Sequence, residues 1–150
     1  MTDPGSPVLV PSRWGTYPVH IGGTKLDEIP DLVAERVESR RFAVISDSNV
    51  APLHGTRVLE ALRGSAEAEL FSFPAGEASK TRKSWSILTD EMLEAGFGRD
   101  SCVVAVGGGV TTDLAGFVAA TYLRGVPVVQ VPTSYLAMIC LLYTSDAADE

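Results

Sequence analysis

The sequence predicts an α/β protein built on an open, mainly parallel sheet with flanking helices. Short apolar runs alternate along the chain with longer segments in which apolar residues recur every three or four positions. Two of the runs, Arg41–Ser46 and Cys102–Val106, are almost continuously apolar, which is typical of strands covered on both faces. Alternation of such strands with helices favours a parallel sheet with crossover helices.

The elements follow one another in a regular order. Met1–Arg13, rich in Pro, Ser and Gly, is predicted to be a loose lead-in. The predicted strands are Tyr17–Ile21, Arg41–Ser46, Ala66–Phe73, Cys102–Val106 and Val126–Val131, with Ala66–Phe73 at an edge. The predicted helices are Lys25–Ser39, Val50–Leu62, Ser79–Ala95 and Thr111–Tyr122. Pro30 suits the start of the first helix, and Gly96 is a stop signal for the third.

Composition excludes several classes of protein. The chain has 150 residues, with 19 acidic against 12 basic side chains and a formal net charge of −7. This length fits one domain with a real core, and the acidic balance argues against a nucleic-acid binder. No apolar stretch is long enough to cross a membrane, and the N-terminus does not resemble a signal peptide. The two isolated cysteines are typical of a reducing compartment, so a cytoplasmic location is expected.

Three segments directly follow predicted buried strands: Asp47–Asn49, Gly107–Asp113 and Pro132–Ser134. In open α/β sheets, ligands bind outside the carboxyl ends of the strands. We therefore expect these three segments to lie on one edge of the sheet and to form the functional site.

The glycine run Gly107–Gly109 is the sharpest local signal. A strand ends there and a helix begins, so a phosphate could approach the backbone N–H groups and the positive helix end. The run is not the dinucleotide fingerprint, because Thr112 stands where the last glycine should be. It is not a P-loop either, because no Gly-Lys-Ser/Thr follows. The alternative interpretation is a tight strand-to-helix turn without a ligand.

The polar residues near the other strand ends each allow two interpretations. Asp47 and Asn49 could hold a ribose or adenine, or they could cap the following helix. Glu77 and Lys80 could bind ribose hydroxyls and a phosphate, or they could form a solvated capping pair.

Further along the chain, a carboxylate such as Asp113 suits the first turns of a helix. Arg124 could grip a phosphate, or it could be a helix-end cation. Cys102 is predicted to be an inert core thiol. His20 and His54 lack metal-type spacing, so no metal site is predicted.

Taken together, these segments resemble one family. The run Val106–Pro127, from Gly-Gly-Gly-Val-Thr-Thr-Asp to Leu-Arg-Gly-Val-Pro, and the segment Gln130–Ser134 closely resemble 3-dehydroquinate synthase, a sugar-phosphate cyclase. Asp47–Val50 and Pro74–Thr81 match the family's other nucleotide-site motifs in the same order. The resemblance covers roughly Val19–Met138 and implies a Rossmann-like fold.

The resemblance also implies roles for individual residues. Asp47 and Asn49 would contact the adenosine side of NAD, whereas Gly76, Glu77 and Lys80 would contact its ribose and nicotinamide side. The diphosphate would lie at Gly108, Gly109 and Val110, with Thr111 and Asp113 close by. The pair Thr133 and Ser134 would complete the NAD site. Arg124 would bind the substrate phosphate, in some members across a dimer interface.

The implied reaction belongs to the shikimate pathway. 3-Deoxy-D-arabino-heptulosonate 7-phosphate loses phosphate and closes to 3-dehydroquinate, while NAD takes and returns a hydride. The family also uses zinc or cobalt, bound in a helical C-terminal domain, and is expected to form homodimers. The alternatives are a related cyclase of the 2-deoxy-scyllo-inosose or 2-epi-5-epi-valiolone synthase type, a polyol dehydrogenase of similar fold, or a non-enzymatic binding module.

The end of the chain departs from the family pattern. Residues 1–138 are expected to be a truncated NAD-binding domain, and residues 139–150 a non-native tail. The family's helical C-terminal domain, with its metal ligands and several catalytic residues, has no counterpart in these 150 residues. The chain by itself is therefore expected to be inactive.

Overall fold

The computed structural model describes residues 7–12, 15–22 and 25–140. Over these residues the strands are β1 (Val8–Ser12), β2 (Gly15–Val19), β3 (Arg41–Asp47), β4 (Glu67–Phe73), β5 (Ser101–Gly107) and β6 (Val128–Pro132). The helices are α1 (Ile29–Ala34), α2 (Thr56–Arg63), α3 (Arg82–Glu94), α4 (Gly109–Thr121) and α5 (Tyr135–Cys140). Strands and helices alternate from β3 onward, as the apolar pattern predicts.

Strands β3 to β6 form one parallel sheet in the order β4-β3-β5-β6. The prediction of an open parallel α/β sheet, with Ala66–Phe73 at an edge, is confirmed. Alternate residues of the central strands pack against helices on opposite faces. Val44 and Val104 belong to a core shared with α1 and α2, whereas Ile45 and Ala105 belong to one shared with α3 and α4.

The N-terminal region differs from the prediction. The loose lead-in is wrong for Val8–Ser12, which forms an antiparallel hairpin with β2. The Ser12 hydroxyl donates to the Gly15 carbonyl at 2.7 Å, and Gly15 has a φ of +126° that suits its place after the turn. Val8–Ser12 is therefore one strand of a short paired ribbon.

Two predicted helices are shorter or less regular than their apolar spacing indicates. The helix predicted over Lys25–Ser39 is a 3₁₀ turn at Lys25–Glu28 followed by α1, with Pro30 in the first turn. The helix predicted from Val50 begins as a π turn over Ala51–Gly55 before α2. A proline donates no backbone hydrogen bond, and Pro52 lies in that first turn, so the regular pattern starts after it.

The later boundaries agree with the sequence to within a few residues. Thr81 caps α3 by accepting a hydrogen bond from the Ser84 amide at 3.2 Å, so the helix begins after Ser79. Gly96, with a φ of +78°, ends it. Helix α5 runs through position 138, and residues 141–150 lie outside the described residues. The domain boundary at 138 and the foreign tail therefore stay predictions.

Candidate functional site

The carboxyl ends of the parallel strands bring the three predicted segments together. Strands β3, β5 and β6 end at Asp47, Gly107 and Pro132, and they are neighbours in the sheet. The Thr133 amide donates to the Gly107 carbonyl at 2.9 Å, which continues the β5–β6 pairing by one residue. The predicted convergence of these segments on one edge is therefore present in the structure.

The three glycines of the turn after β5 serve different purposes. A Cβ at Gly107 would lie 2.3 Å from Thr111 Oγ1, so this position is filled by the threonine. A Cβ at Gly108 would lie 3.3 Å from Ser134 Oγ, whereas one at Gly109 would meet nothing within 4 Å. Gly108 caps α4 with an extended backbone. The turn is thus closed on the Gly107 side and open at Gly109.

The open side of the turn is the N-terminal end of α4. The first amides of a helix have no partner within the helix and carry its positive dipole end. Gly109, Val110 and Thr111 supply these first amides. A phosphate could reach them over Gly109 without meeting a side chain there.

Asp47 is turned toward the protein. It is 8% exposed. Its Oδ1 accepts from the amides of Asn49 at 2.9 Å and Val50 at 3.1 Å, and its Oδ2 accepts from the Thr111 hydroxyl at 3.0 Å. These contacts hold the turn between β3 and the helical residues that follow. Asp47 does not itself cap the helix, whose N-cap position is Val50. Asn49 is exposed beside it, so its side chain is the more available to a ligand.

Lys80 lies between two carboxylates. Its ammonium is 2.8 Å from Asp113 Oδ2 and 3.2 Å from Glu77 Oε2. The hydrogen bond to Asp113 raises the pKa of the Lys80 ammonium, Glu77 acts in the same direction, and desolvation opposes both. Lys80 therefore remains charged and bridges the loop before α3 to the first turns of α4. The sequence predicts the Glu77–Lys80 pair, but not the contact with Asp113.

The loop that carries Glu77 and Lys80 is a 3₁₀ turn at Glu77–Ser79, not the start of α3. Gly76 precedes it with a φ of +108°, a conformation that side chains rarely adopt. The Ser79 hydroxyl donates to the Pro74 carbonyl and closes the turn. Gly76 is therefore required here by backbone geometry, whether or not it also contacts a ligand.

Thr133 and Ser134 join the end of β6 to α5. The Ser134 hydroxyl accepts a hydrogen bond from the Ala137 amide at 3.3 Å, which is the contact of a helix cap. Gly108 lies against the same hydroxyl. Ser134 is thus shared between the start of α5 and the glycine turn.

Arg124 lies away from this group of residues. It follows the C-terminal end of α4, and the 13 residues of that helix separate it from the glycine turn by about 18 Å. Its φ is +77°, and that of the preceding Leu123 is +48°. The structure does not bring Arg124 to the glycine turn of its own chain.

Two residues that the sequence did not single out also hold this edge together. The Ser48 hydroxyl accepts from the Ala75 amide at 3.1 Å and ties the β3 loop to the β4 loop. Gln130 Nε2 donates to the Thr112 carbonyl at 3.3 Å, while its Oε1 is buried without a hydrogen-bond partner. A lone polar residue in the apolar run Val128–Val131 was the available signal for Gln130.

Other features of the described residues carry less chemistry. Residues 7–12, 15–22 and 25–140 contain no group of three or more His, Cys, Asp or Glu side chains that could hold a metal ion. Cys102 lies in the core, and burial raises the pKa of its thiol to about 12. A cavity of about 490 Å³ lies at the amino ends of the parallel strands, away from the candidate site, and Arg40, Phe42 and Asp100 are among its lining residues. In the part of the chain that the structure describes, no helix is both long and apolar enough to cross a membrane.

Comparison with known proteins agrees with this arrangement. Residues 70–141 match the model of the 3-dehydroquinate synthase N-terminal region. The 3-dehydroquinate synthase of Caldanaerobacter subterraneus subsp. tengcongensis is 41% identical over 133 residues, which are 88% of this chain and 37% of that protein. The chain thus spans little more than a third of the length of this relative.

Two solved structures of cyclases share the fold. A 2-deoxy-scyllo-inosose synthase complexed with carbaglucose-6-phosphate, NAD⁺ and Co²⁺ superposes with a TM-score of 0.81 at 26% identity, over 88% of this chain and 36% of that one. A 2-epi-5-epi-valiolone synthase from Streptomyces hygroscopicus subsp. jinggangensis with NAD⁺ and Zn²⁺ bound gives 0.62 at 34% identity, over 76% and 32%. On these matches, the chain belongs to the 3-dehydroquinate synthase family.

Proposed function

We propose that this chain supplies the NAD-binding part of a 3-dehydroquinate synthase. The reaction of the whole enzyme would convert 3-deoxy-D-arabino-heptulosonate 7-phosphate to 3-dehydroquinate and phosphate. The observation that carries the proposal is the open glycine turn at the N-terminal end of α4, with Lys80 held against Asp113 one turn further along the helix. The cyclase structures with NAD⁺ bound support the same assignment.

The residues at this edge fit NAD. The diphosphate would lie over Gly109, within reach of the amides of Val110 and Thr111, where the open space and the helix dipole both favour an anion. The positive charge of Lys80 would attract the phosphate groups of NAD. The exposed side chain of Asn49 would face the adenosine ribose. When bound, NAD would supply a reversible hydride acceptor, and the residues of this chain would bind and orient it.

The described residues do not fit the metal. They offer no cluster of ligating side chains, so no metal-dependent step is assigned to them. We propose, separately, that the 150-residue chain releases no phosphate from the substrate by itself, even with NAD and Zn²⁺ added. Measurable phosphate release would contradict this expectation.

Arg124 would meet a substrate phosphate only from a site other than its own glycine turn, because α4 separates the two by about 18 Å. A small sugar-acid phosphate as substrate, a homodimer as the assembled enzyme and a cytoplasmic location complete the proposal. The second candidate function is a related cyclase that forms a different ring product. The similarity to a 2-deoxy-scyllo-inosose synthase and a 2-epi-5-epi-valiolone synthase supports this alternative.

A titration with NAD tests the cofactor site directly. Gly109→Ala places a methyl group in the open space over the turn, so we expect NAD to bind at least about tenfold more weakly, since a hydrogen bond to a charged group contributes about 1.5–3 kcal/mol. Gly116→Ala is the matched control, because it adds the same methyl group to the same helix, where it meets only ordinary contacts at 3.4 Å. Thermal unfolding should remain nearly unchanged in both variants.

The lysine is tested in the same titration. Lys80→Ala should weaken NAD binding and reduce its dependence on salt, because a charge near the phosphates is removed. Lys83→Ala removes an exposed lysine in the first turn of α3 and should bind NAD as the original chain does. No NAD binding by the original chain, or full binding by Gly109→Ala, would refute the proposed site.

A further inference from the structure

Thr111 connects the two parts of the candidate site. Its hydroxyl donates to Asp47 Oδ2 at 3.0 Å, although the two residues lie 64 positions apart in the chain. Thr111 stands in the first turn of α4, and Asp47 is the last residue of β3. Both side chains are buried, so this hydrogen bond is shielded from water.

The surroundings of Thr111 fix its side chain in this direction. It fills the space beside Gly107, where a Cβ would lie 2.3 Å from Oγ1 and 2.5 Å from the threonine Cβ. Thr111 is fully buried, so its hydroxyl does not face the open side of the turn. The Thr111 side chain is therefore badly placed to contact a ligand and well placed to hold the Asp47 carboxylate.

The carboxylate of Asp47 carries the connection further. Its Oδ1 accepts hydrogen bonds from the amides of Asn49 and Val50. These two hydrogen bonds shape the loop after β3. One buried carboxylate thus holds that loop through Oδ1 and the glycine turn through Oδ2. Hydrogen bonds to a charged group are stronger than neutral ones, so the two segments are held firmly relative to each other.

We propose that the side chain of Thr111 has a positioning role: its hydroxyl sets the spacing between the loop after β3 and the glycine turn without itself touching the cofactor. The proposal rests on the proposed NAD site. NAD would have to engage both segments at once, with its adenosine at the loop and its diphosphate at the turn. A ligand that engages only one segment does not depend on their spacing.

The experiment compares three probes on Thr111→Val, which keeps the shape of the side chain and removes the hydroxyl. NAD should bind about tenfold or more weakly, because preorganisation of its two half-sites is lost. Adenosine, which reaches only the loop, and inorganic pyrophosphate, which reaches only the turn, should stay within about twofold of the original chain. Thr111→Ser should restore NAD binding.

Thr121→Val is the matched control. It removes a threonine hydroxyl from the other end of α4, where that hydroxyl accepts from Trp85 Nε1 at 2.8 Å, and it should leave all three affinities unchanged. If Thr111→Val binds NAD as the original chain does, or loses adenosine and pyrophosphate by the same factor as NAD, the positioning role is overturned.

A second variant covers the case in which Thr111→Val does not fold. Asp47→Asn keeps an oxygen for the amides of Asn49 and Val50 and weakens the bond from Thr111. It should show the same selective loss of NAD, and an equal loss of adenosine would overturn the proposal. If the original chain binds adenosine and pyrophosphate but not NAD, or binds none of them, the proposed function itself fails, and the positioning role fails with it.

Discussion

Gly107→Ala should be among the most destabilising single-methyl substitutions in this chain. The new Cβ would lie 2.5 Å from the Cβ of Thr111 and 2.3 Å from its hydroxyl oxygen, whereas carbon atoms pack at about 3.5–4.0 Å. Thr111 would have to move by about 1 Å or more, which breaks its hydrogen bond to Asp47.

The magnitude follows from these two losses. Overpacking of a core costs about 1–3 kcal/mol, and a lost hydrogen bond to a charged group about 1.5–3 kcal/mol. We therefore expect the free energy of unfolding to fall by about 2.5–6 kcal/mol. Urea denaturation followed by circular dichroism measures this as a lower midpoint at constant slope. Because the overlap includes the threonine Cβ, adding Thr111→Ala should not restore stability.

Gly109→Ala is the control for this experiment, because its Cβ would meet nothing within 4 Å. An alanine in the first turn of a helix should change the stability by less than about 1 kcal/mol, in the favourable direction. Equal stabilities of the Gly107 and Gly109 variants would refute the packing argument. The same two glycines separate folding from binding, since only Gly109 is expected to affect NAD without affecting stability.

Two further predictions concern residues outside the cofactor edge. In a Cys140→Ser background, the Cys102 thiol should resist alkylation at pH 8 until urea unfolds the chain. Burial raises its folded pKa to about 12, whereas an unfolded thiol ionises near about 8.5. Stability should therefore be unaffected below about pH 8.5 and fall between about 8.5 and 12, by at most about 1.4 kcal/mol per pH unit. Cys102→Ala should abolish the fall between about pH 8.5 and 10, below the range in which Tyr122 and Lys80, whose pKa values are also raised, begin to lower the stability. Persistence of that part of the fall would contradict the assignment. Arg124→Gly should stabilise the chain by about 0.5–1 kcal/mol, because it relieves a left-handed backbone at some entropic cost. The helical Arg82→Gly should instead destabilise it by a similar amount in the same urea experiment.

The sequence predicts the central strands of the sheet well, because a buried strand appears in the sequence as a run of apolar residues. Strands covered on both faces must be apolar throughout, so Arg41–Ser46 and Cys102–Val106 are evident from composition alone. The first strand of the hairpin, β1, leaves no such trace, because none of its residues is fully buried. The shortened helix at Ile29–Ala34 also escapes the pattern, because apolar spacing continues beyond the hydrogen-bonded turns.

For the site, strand order along the chain predicts which loops share an edge, but not which side chains meet there. Asp47 at the end of β3 and Thr111 at the start of α4 are both recognisable from the sequence. Their hydrogen bond, however, joins residues that are 64 positions apart in the chain. The same holds for Lys80 and Asp113, which the sequence places on different helices. Such contacts depend on how each helix crosses the sheet, and local spacing contains no information about that.

The amino-acid sequence by itself therefore determined the parallel α/β class, the edge at which function should lie and the resemblance to one enzyme family. These follow from hydrophobic period and glycine placement, which act over a few residues. Only the tertiary structure decided that Gly107 serves packing while Gly109 is open, and that Asp47 is held inside. The reason is physical: close packing assigns each side chain to a ligand or to a neighbour through contacts between distant parts of the chain.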